Sequence, residues 1–296
     1  MCLPLLMGGA CEKKPKNNGD TGAINALDRA GSEEPAQTGP VDKSPLQGID
    51  VSKLASEKQD LFYKLVGSLS SPCGKAHSLR TSYATDTSCK RAPFAVRYVE
   101  ALIEDEGTEA QVREEYDKKY KAAAEPVKID YSKAPRIGND DAPIRLVEFF
   151  DYQCPHCQAF KPMLEAVAHA NEGKVVEYFM MFPLSKHENS KNASQAAVAA
   201  NEMGKFKEMH DLLFARSPQH TKEEIMGYAK ELGLDTAKFE QLYTAAQAQV
   251  EHDIAQGESV GVDSTPTLFF NERKYEGPLH PKYIGMWIEE ELAVNR

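Results

Sequence analysis

Long apolar runs and an excess of positive charge are both absent from this sequence of 296 residues. No apolar run approaches the roughly 20 residues that a membrane-spanning helix requires, so we expect no transmembrane segment. The net charge is −10, and residues 136–296 carry almost all of the acidic excess. Because an acidic surface repels the phosphate backbone of nucleic acids, we expect no nucleic-acid partner either.

Cysteine is also scarce, with six residues in the whole chain. Their uneven placement argues against the even disulfide framework of a small stapled domain. We expect each successive pair to have a different role, the six being Cys2, Cys11, Cys73, Cys89, Cys154 and Cys157.

The first 11 residues join a short apolar stretch to small residues and a cysteine, ending Met-Gly-Gly-Ala-Cys11. This pattern resembles the end of a bacterial lipoprotein signal, here truncated because no basic region precedes it. Gly8 departs from the branched apolar residue that is usual at its position. We expect export of the chain, lipidation of Cys11, and membrane contact through that lipid tether alone. The alternative is a leader whose two cysteines are incidental.

Composition divides the rest of the chain into three parts. Residues 12–49 are rich in Gly, Pro, Ser, Asn and acidic residues, which predicts a disordered, flexible linker. Residues 50–125 have helical apolar patterns, which predicts a small all-α module. Within it, Thr108 is followed three residues later by Gln111, the spacing of a helix-starting capping box. From residue 126 to 296 the patterns of strands and helices alternate, which predicts an α/β domain.

The elements expected in the α/β domain follow from apolar runs and their Pro, Gly and Asp boundaries. They are a strand at Ile144–Phe150, a helix at Pro155–Asn171, a strand at Lys174–Phe182, several helices from Ser190 to about Gln256, a hairpin within residues 267–276, and a helix at Pro281–Ala293.

The sequence Cys154-Pro155-His156-Cys157 lies where the first of these strands leads into a helix. Unpaired amides and the helix dipole at such a site favour a thiolate, and His156 adds a second stabilising group. The thiolate is the attacking species in disulfide exchange, so we expect Cys154 to attack and the shielded Cys157 to resolve. Two cysteines are also half of a zinc site, but no second such pair completes it. We therefore expect a redox-active disulfide with no metal and no other cofactor.

The α/β domain resembles the DsbA-like branch of the thioredoxin superfamily. The resemblance covers about residues 127–296 and implies a thioredoxin fold with a helical domain inserted at about residues 188–258. It is carried, in chain order, by Gly138–Pro143, Arg145–Phe150, Asp151–Cys157, Phe182–His187, Ala196–Ala200, Lys205–His210 and Gly261–Phe269.

The resemblance also implies roles for single residues. Thr265-Pro266 matches the loop in which a cis proline faces the cysteine pair, and the Thr265 backbone would bind the substrate peptide as an added strand. Glu148 matches a semi-buried acid near the resolving cysteine, where it would relay that thiol's proton. Alternation along the strand equally allows Glu148 to lie on an exposed face. We expect His187 to be structural.

Cys73 and Cys89 flank one short predicted helix in a module that is expected to be exported. A structural disulfide there would compensate for a small helical core. The alternative is a second redox pair that exchanges electrons with Cys154, because spacing alone does not exclude it.

Together these patterns predict a thiol–disulfide oxidoreductase outside the cytoplasm, and most directly a disulfide oxidase. A stabilised thiolate makes the matching disulfide a stronger oxidant. The expected partners are exported proteins with free thiols and a membrane quinone-linked reoxidant of the DsbB or vitamin-K-epoxide-reductase type. One alternative is a reductase or isomerase serving cytochrome c maturation, suggested only by a faint likeness of residues 73–120 to the small helical haem-lyase subunit. The other is a peptide-binding or chaperone module with incidental cysteines, against which the intact motifs argue.

Overall fold

The computed structural model describes residues 40–122 and 125–294, and the first of these ranges folds into a helical bundle. Its elements are α1 (Ser56–Ser68), α2 (Leu79–Ala84), α3 (Ala92–Glu104), α4 (Glu109–Asp117) and a π-helical turn at Lys118–Ala122. The bundle buries a core that includes Phe62, Leu65 and Val96. At the start of α4, Thr108 and Gln111 form the reciprocal capping box that their spacing predicts.

The helical module begins before residue 50. Leu46 is only 4% exposed, and Ile49 packs beside it on the core of the bundle. Arg80 on α2 donates a hydrogen bond to the Ser44 carbonyl at 2.6 Å. The predicted linker at residues 12–49 is therefore wrong over its last part, because these apolar side chains find a core that offsets the entropy cost of ordering them. Residues 12–39 and the predicted signal at residues 1–11 lie outside the described residues.

The second range is built around a five-stranded sheet with the order β1-β3-β2-β4-β5. Strands β2 and β3 are parallel, whereas β4 runs antiparallel to β2. The edge strand β1 was not predicted from the sequence, because it has only two residues and both are exposed. The strands are β1 (Arg136–Ile137), β2 (Ile144–Phe150), β3 (Val175–Met181), β4 (Thr267–Phe270) and β5 (Arg273–Lys274).

Helices cover both faces of this sheet. They are α5 (Pro155–Ala170), α6 (Ser190–Asn201), α7 (Phe206–Ala215), α8 (Lys222–Glu231), α9 (Thr236–Ala245), α10 (Gln247–Ser259) and α11 (Pro281–Val294). Helices α5 and α11 share a core with Ile144 and Leu146, while α10 packs on the opposite face. Gly257 allows this approach, because an added Cβ would lie 2.6 Å from the Phe182 ring. No helix within the described ranges is long and apolar enough to cross a membrane.

Helices α6 to α10 lie between β3 and β4, where the sequence places an inserted helical domain. Buried alanines on α6 allow the neighbouring helices to pack closely, and Phe206 and Phe239 complete the core. The fold class predicted from the sequence, a thioredoxin fold with a helical insertion and a preceding all-α module, is confirmed.

A buried ion-pair network joins the helical module to α11 of the thioredoxin domain. Lys119 lies 2.9 Å from Glu290, and their side chains are 2% and 0% exposed. Arg91, the N-cap residue of α3, reaches the same carboxylate at 2.5 Å. The Lys119 ammonium also lies 3.7 Å from the centre of the Trp287 ring. The module is therefore packed against the domain through specific charged contacts.

Candidate active site

Cys154 and Cys157 lie at the first turn of α5. Strand β2 ends at Phe150, and Cys154 is the N-cap residue of the helix, with an extended backbone. Pro155 takes the first helical position, which tolerates proline because the N–H there has no intrahelical partner. The strand-to-helix placement is the one that the sequence predicts.

Both thiols of the pair are free and buried. Cys154 is 3% exposed and Cys157 is 1% exposed. The Cys154 thiol donates a hydrogen bond to the Thr265 carbonyl at 3.4 Å. Pro155 and His156 are exposed beside them, so the surface formed by this dipeptide is the open side of the pair.

The loop that precedes β4 lies against Cys154. Its Thr265-Pro266 peptide bond is cis, as the resemblance implies, and Thr265 is 7% exposed. A second cis bond joins Ser217 to Pro218, and the carbonyl of Pro218 accepts a hydrogen bond from the Gln153 side chain at 2.7 Å. This hydrogen bond, which the sequence did not predict, joins the active-site loop to the helical insertion.

Asp151 holds the loop between β2 and the cysteine pair, and the sequence analysis missed it. Its fully buried carboxylate accepts hydrogen bonds from the N–H of Gln153 at 2.7 Å and the N–H of Leu184 at 2.8 Å. His187 Nδ1 lies 2.7 Å from the same carboxylate, and the Ser190 hydroxyl donates to it. His187 is therefore structural, as expected, and its role is to fix this loop. The one sign of this role in the sequence is that Asp151 directly follows the end of a predicted strand.

Tyr152 fixes the loop from its other side. Its hydroxyl and His210 Nδ1 form a hydrogen bond of 3.0 Å. The imidazole lies among aromatic rings that include Phe150, Phe179 and Phe206. Burial lowers the pKa of His210 to about 3, so the ring is neutral at physiological pH.

Glu148 on β2 is buried near the resolving cysteine, and the alternative of an exposed face is wrong. The residue is 6% exposed, because helices pack on both faces of the sheet. Burial first, and the charge of Glu177 second, raise the pKa of Glu148 well above its ordinary value. Burial also raises the pKa of Cys157, and the charge of Glu148 raises it further.

The remaining candidate residues lie elsewhere. Cys73 and Cys89 form a disulfide with Cα atoms 5.8 Å apart, in the helical module. Cys11 lies outside the described residues. In the part of the chain that the structure describes, no three His, Cys, Asp or Glu side chains are grouped to hold a metal ion.

Comparison with protein families matches the family described as Thioredoxin to residues 131–290. The match includes the cysteine pair, Glu148 and the Thr265-Pro266 loop, and it leaves out the helical module.

The matching curated relatives are much longer proteins. The Na(+)/H(+) antiporter NhaA 3 of Salinispora tropica is 31% identical over 170 residues, which is 56% of this chain and 25% of the antiporter. NhaA 1 of Mycobacterium sp. (strain KMS) is 33% identical over 146 residues, which is 48% of this chain and 24% of the antiporter. The matched part of this chain thus spans about a quarter of the length of these relatives.

Solved structures of similar folds cover more than half of this chain. BdbD from Bacillus subtilis is 25% identical with a TM-score of 0.50, over 56% of this chain and 97% of BdbD. The thiol-disulfide exchange protein alpha-DsbA2 from Wolbachia pipientis is 21% identical with a TM-score of 0.50, over 59% of this chain and 92% of that protein. The second likeness supports the fold alone.

Proposed function

The chain belongs to the thioredoxin family, as a DsbA-like member with the cysteine pair of a thiol–disulfide oxidoreductase. From this premise we propose that it is a disulfide oxidase. The observation that carries the proposal is the position of Cys154 at the N-terminus of α5, with Cys157 buried one turn along. A helix N-terminus stabilises a thiolate. Because stabilising the reduced form makes the disulfide more oxidising, this placement favours donation of the disulfide to clients.

The exchange proceeds in two steps. A client thiolate attacks the Cys154 sulfur of the Cys154–Cys157 disulfide, and Cys157 leaves with the electron pair of the broken bond. A second client thiolate then attacks the client sulfur of the mixed disulfide, and Cys154 leaves as a thiolate. Two client sulfurs are thereby oxidised and two enzyme sulfurs reduced, so the reaction needs no cofactor beyond the redox-active disulfide.

Glu148 supplies the proton that Cys157 takes up as it leaves. Its raised pKa favours the protonated carboxyl, which is the state of a proton donor. The raised pKa of Cys157 makes its thiolate a strong acceptor for that proton. Proton transfer of this kind is general acid catalysis, and the reverse transfer serves reoxidation of the pair.

Client chains bind as an extended strand on the backbone of the loop at Thr265 and Pro266. Support comes from the hydrogen bond between the Cys154 thiol and the Thr265 carbonyl, which places that backbone directly beside the reacting sulfur. Addition of a peptide strand to an exposed backbone is a common mode of peptide recognition.

The oxidase works outside the cytoplasm on exported proteins with free thiols. The Cys73–Cys89 disulfide supports this location, because such bonds persist in oxidising compartments. A membrane quinone-linked enzyme of the DsbB or vitamin-K-epoxide-reductase type reoxidises the pair, and lipidation at Cys11 tethers the chain near that enzyme.

The test is single-turnover oxidation of a reduced two-cysteine peptide by the oxidised full chain. We expect one peptide disulfide per protein, with loss of activity in Cys154→Ser. If the oxidised protein leaves the peptide reduced, while the reduced protein cleaves the peptide's disulfide, the protein is a reductase and the proposal is overturned.

A further inference from the structure

A cavity of about 520 Å³ opens between α5, β3 and α7, with Glu148 in its lining but neither cysteine of the pair. Its lining does not include the loop at Thr265. Four glutamates line it, of which only Glu148 and Glu177 are buried, each 6% exposed. Neither carboxyl has a hydrogen-bond or ion-pair partner among the residues that the structure describes.

The two carboxyl groups lie on one face of the sheet. Glu177 on β3 is in register with Leu146, two residues before Glu148 on β2, so alternation directs both side chains to the same side. The charge of Glu177 raises the pKa of Glu148. Burial first, and the charge of Glu165 second, raise the pKa of Glu177 to about 8. Burial therefore favours the protonated form of both carboxyls, and ionisation of one opposes ionisation of the other.

The cations near this acid pair are already engaged. Lys161 on α5 lies 2.8 Å from Glu165 and 2.8 Å from Asp211, and Lys207 on α7 lies 3.1 Å from Glu165. The acid pair thus has no counter-ion of its own, although Lys161 moderates both pKa values. The charged and titratable groups that surround the pair are Tyr152, Cys157, Lys161, Glu165, Lys207, His210 and Asp211, with His169 and Glu172 at the exposed rim.

We propose that Glu148 and Glu177 form a two-carboxyl proton relay, and that the cavity connects this relay to solvent. The inference rests on the proposed function. When Cys157 leaves as a thiolate, Glu148 gives it a proton, Glu177 returns a proton to Glu148, and solvent in the cavity restores the proton of Glu177. Reoxidation runs the same transfers in reverse. Glu177 acts through Glu148 and is therefore a positioning residue.

The relay is tested by the reaction of the oxidised full chain with a one-cysteine peptide, measured as the rate per client thiolate against pH. In the wild type this rate should fall once the acid pair loses its protons. Glu177→Gln removes the like charge, so the fall should move to lower pH by roughly one unit. Glu148→Gln should be slow and lack the fall, while the rim variant Glu172→Gln should match the wild type.

The outcomes separate this inference from the proposed function. If the wild type oxidises the peptide but Glu177→Gln keeps the wild-type pH profile, the relay is wrong and the oxidase stands. Should Glu177→Gln fail to fold, infrared titration of the wild type decides. A protonated-carboxyl band that persists above pH 7 and weakens in Glu148→Gln supports the relay, and the absence of such a band overturns it.

Discussion

Lowering the pH should destabilise this protein through one buried histidine. His210 is 3% exposed, and it forms a hydrogen bond with the Tyr152 hydroxyl in the loop that leads to Cys154. Burial lowers the pKa of His210 from its ordinary value of 6.5 to about 3. Protonation of His210 therefore lowers the free energy of unfolding, and the same ring supports the active-site loop.

The magnitude follows from linkage between protonation and folding. Because the folded pKa lies below the unfolded pKa, the unfolded state binds more protons between these two values. The stability contributed by the neutral ring is nearly complete at pH 7 and is lost as the pH falls towards 3. Between pH 7 and pH 4.5, His210 alone should lower the free energy of unfolding by about 2.5 kcal/mol.

The assay is urea unfolding of the wild type and of His210→Gln at the two pH values. The glutamine amide can accept the Tyr152 hydrogen bond but does not titrate, so this variant should lose about 2.5 kcal/mol less than the wild type. His169→Gln, at an exposed position of α5, is the matched control and should behave as the wild type. An equal loss of stability in the wild type and in His210→Gln would refute the reasoning.

Three further predictions concern cysteines and the buried ion pair. Cys157→Ala should trap mixed disulfides with client proteins and Cys154→Ala should not; equal trapping on non-reducing gels would contradict the assigned roles of the two cysteines. Replacing both Cys73 and Cys89 by serine opens a loop with a sequence separation of 16, which should cost roughly 3 kcal/mol of stability. The peptide-oxidation rate should not change, and its loss would indicate a second redox pair. Lys119→Met removes one of the two cations that contact the buried Glu290 carboxylate on α11, so thermal unfolding should show a loss of about 3 kcal/mol; unchanged stability would contradict that network's role.

Local sequence signals were sufficient where a single segment determines the structure. Strand β2 has the predicted bounds, because its apolar, β-prone residues stand between Pro143 and Asp151. Cys154 is the N-cap residue of α5 because Pro155 favours the first helical position.

Features made by distant segments could not be predicted in this way. Glu177 lies within an otherwise apolar strand, and nothing in the sequence places its carboxyl beside that of Glu148. The contact of Tyr152 with His210 joins residues 58 positions apart. The contact between Arg91 and Glu290 spans 199 positions. Such pairs depend on how helices pack on the sheet, which periodicity does not encode.

The reduction potential of the Cys154–Cys157 couple tests the central claim most directly. It can be measured on the full chain by equilibration with glutathione buffers, followed by quantification of the two thiols. An oxidase requires a potential at or above about −180 mV, in the range of protein disulfide isomerase and DsbA. A value near about −270 mV, that of thioredoxin, would contradict the account and assign the protein to reduction.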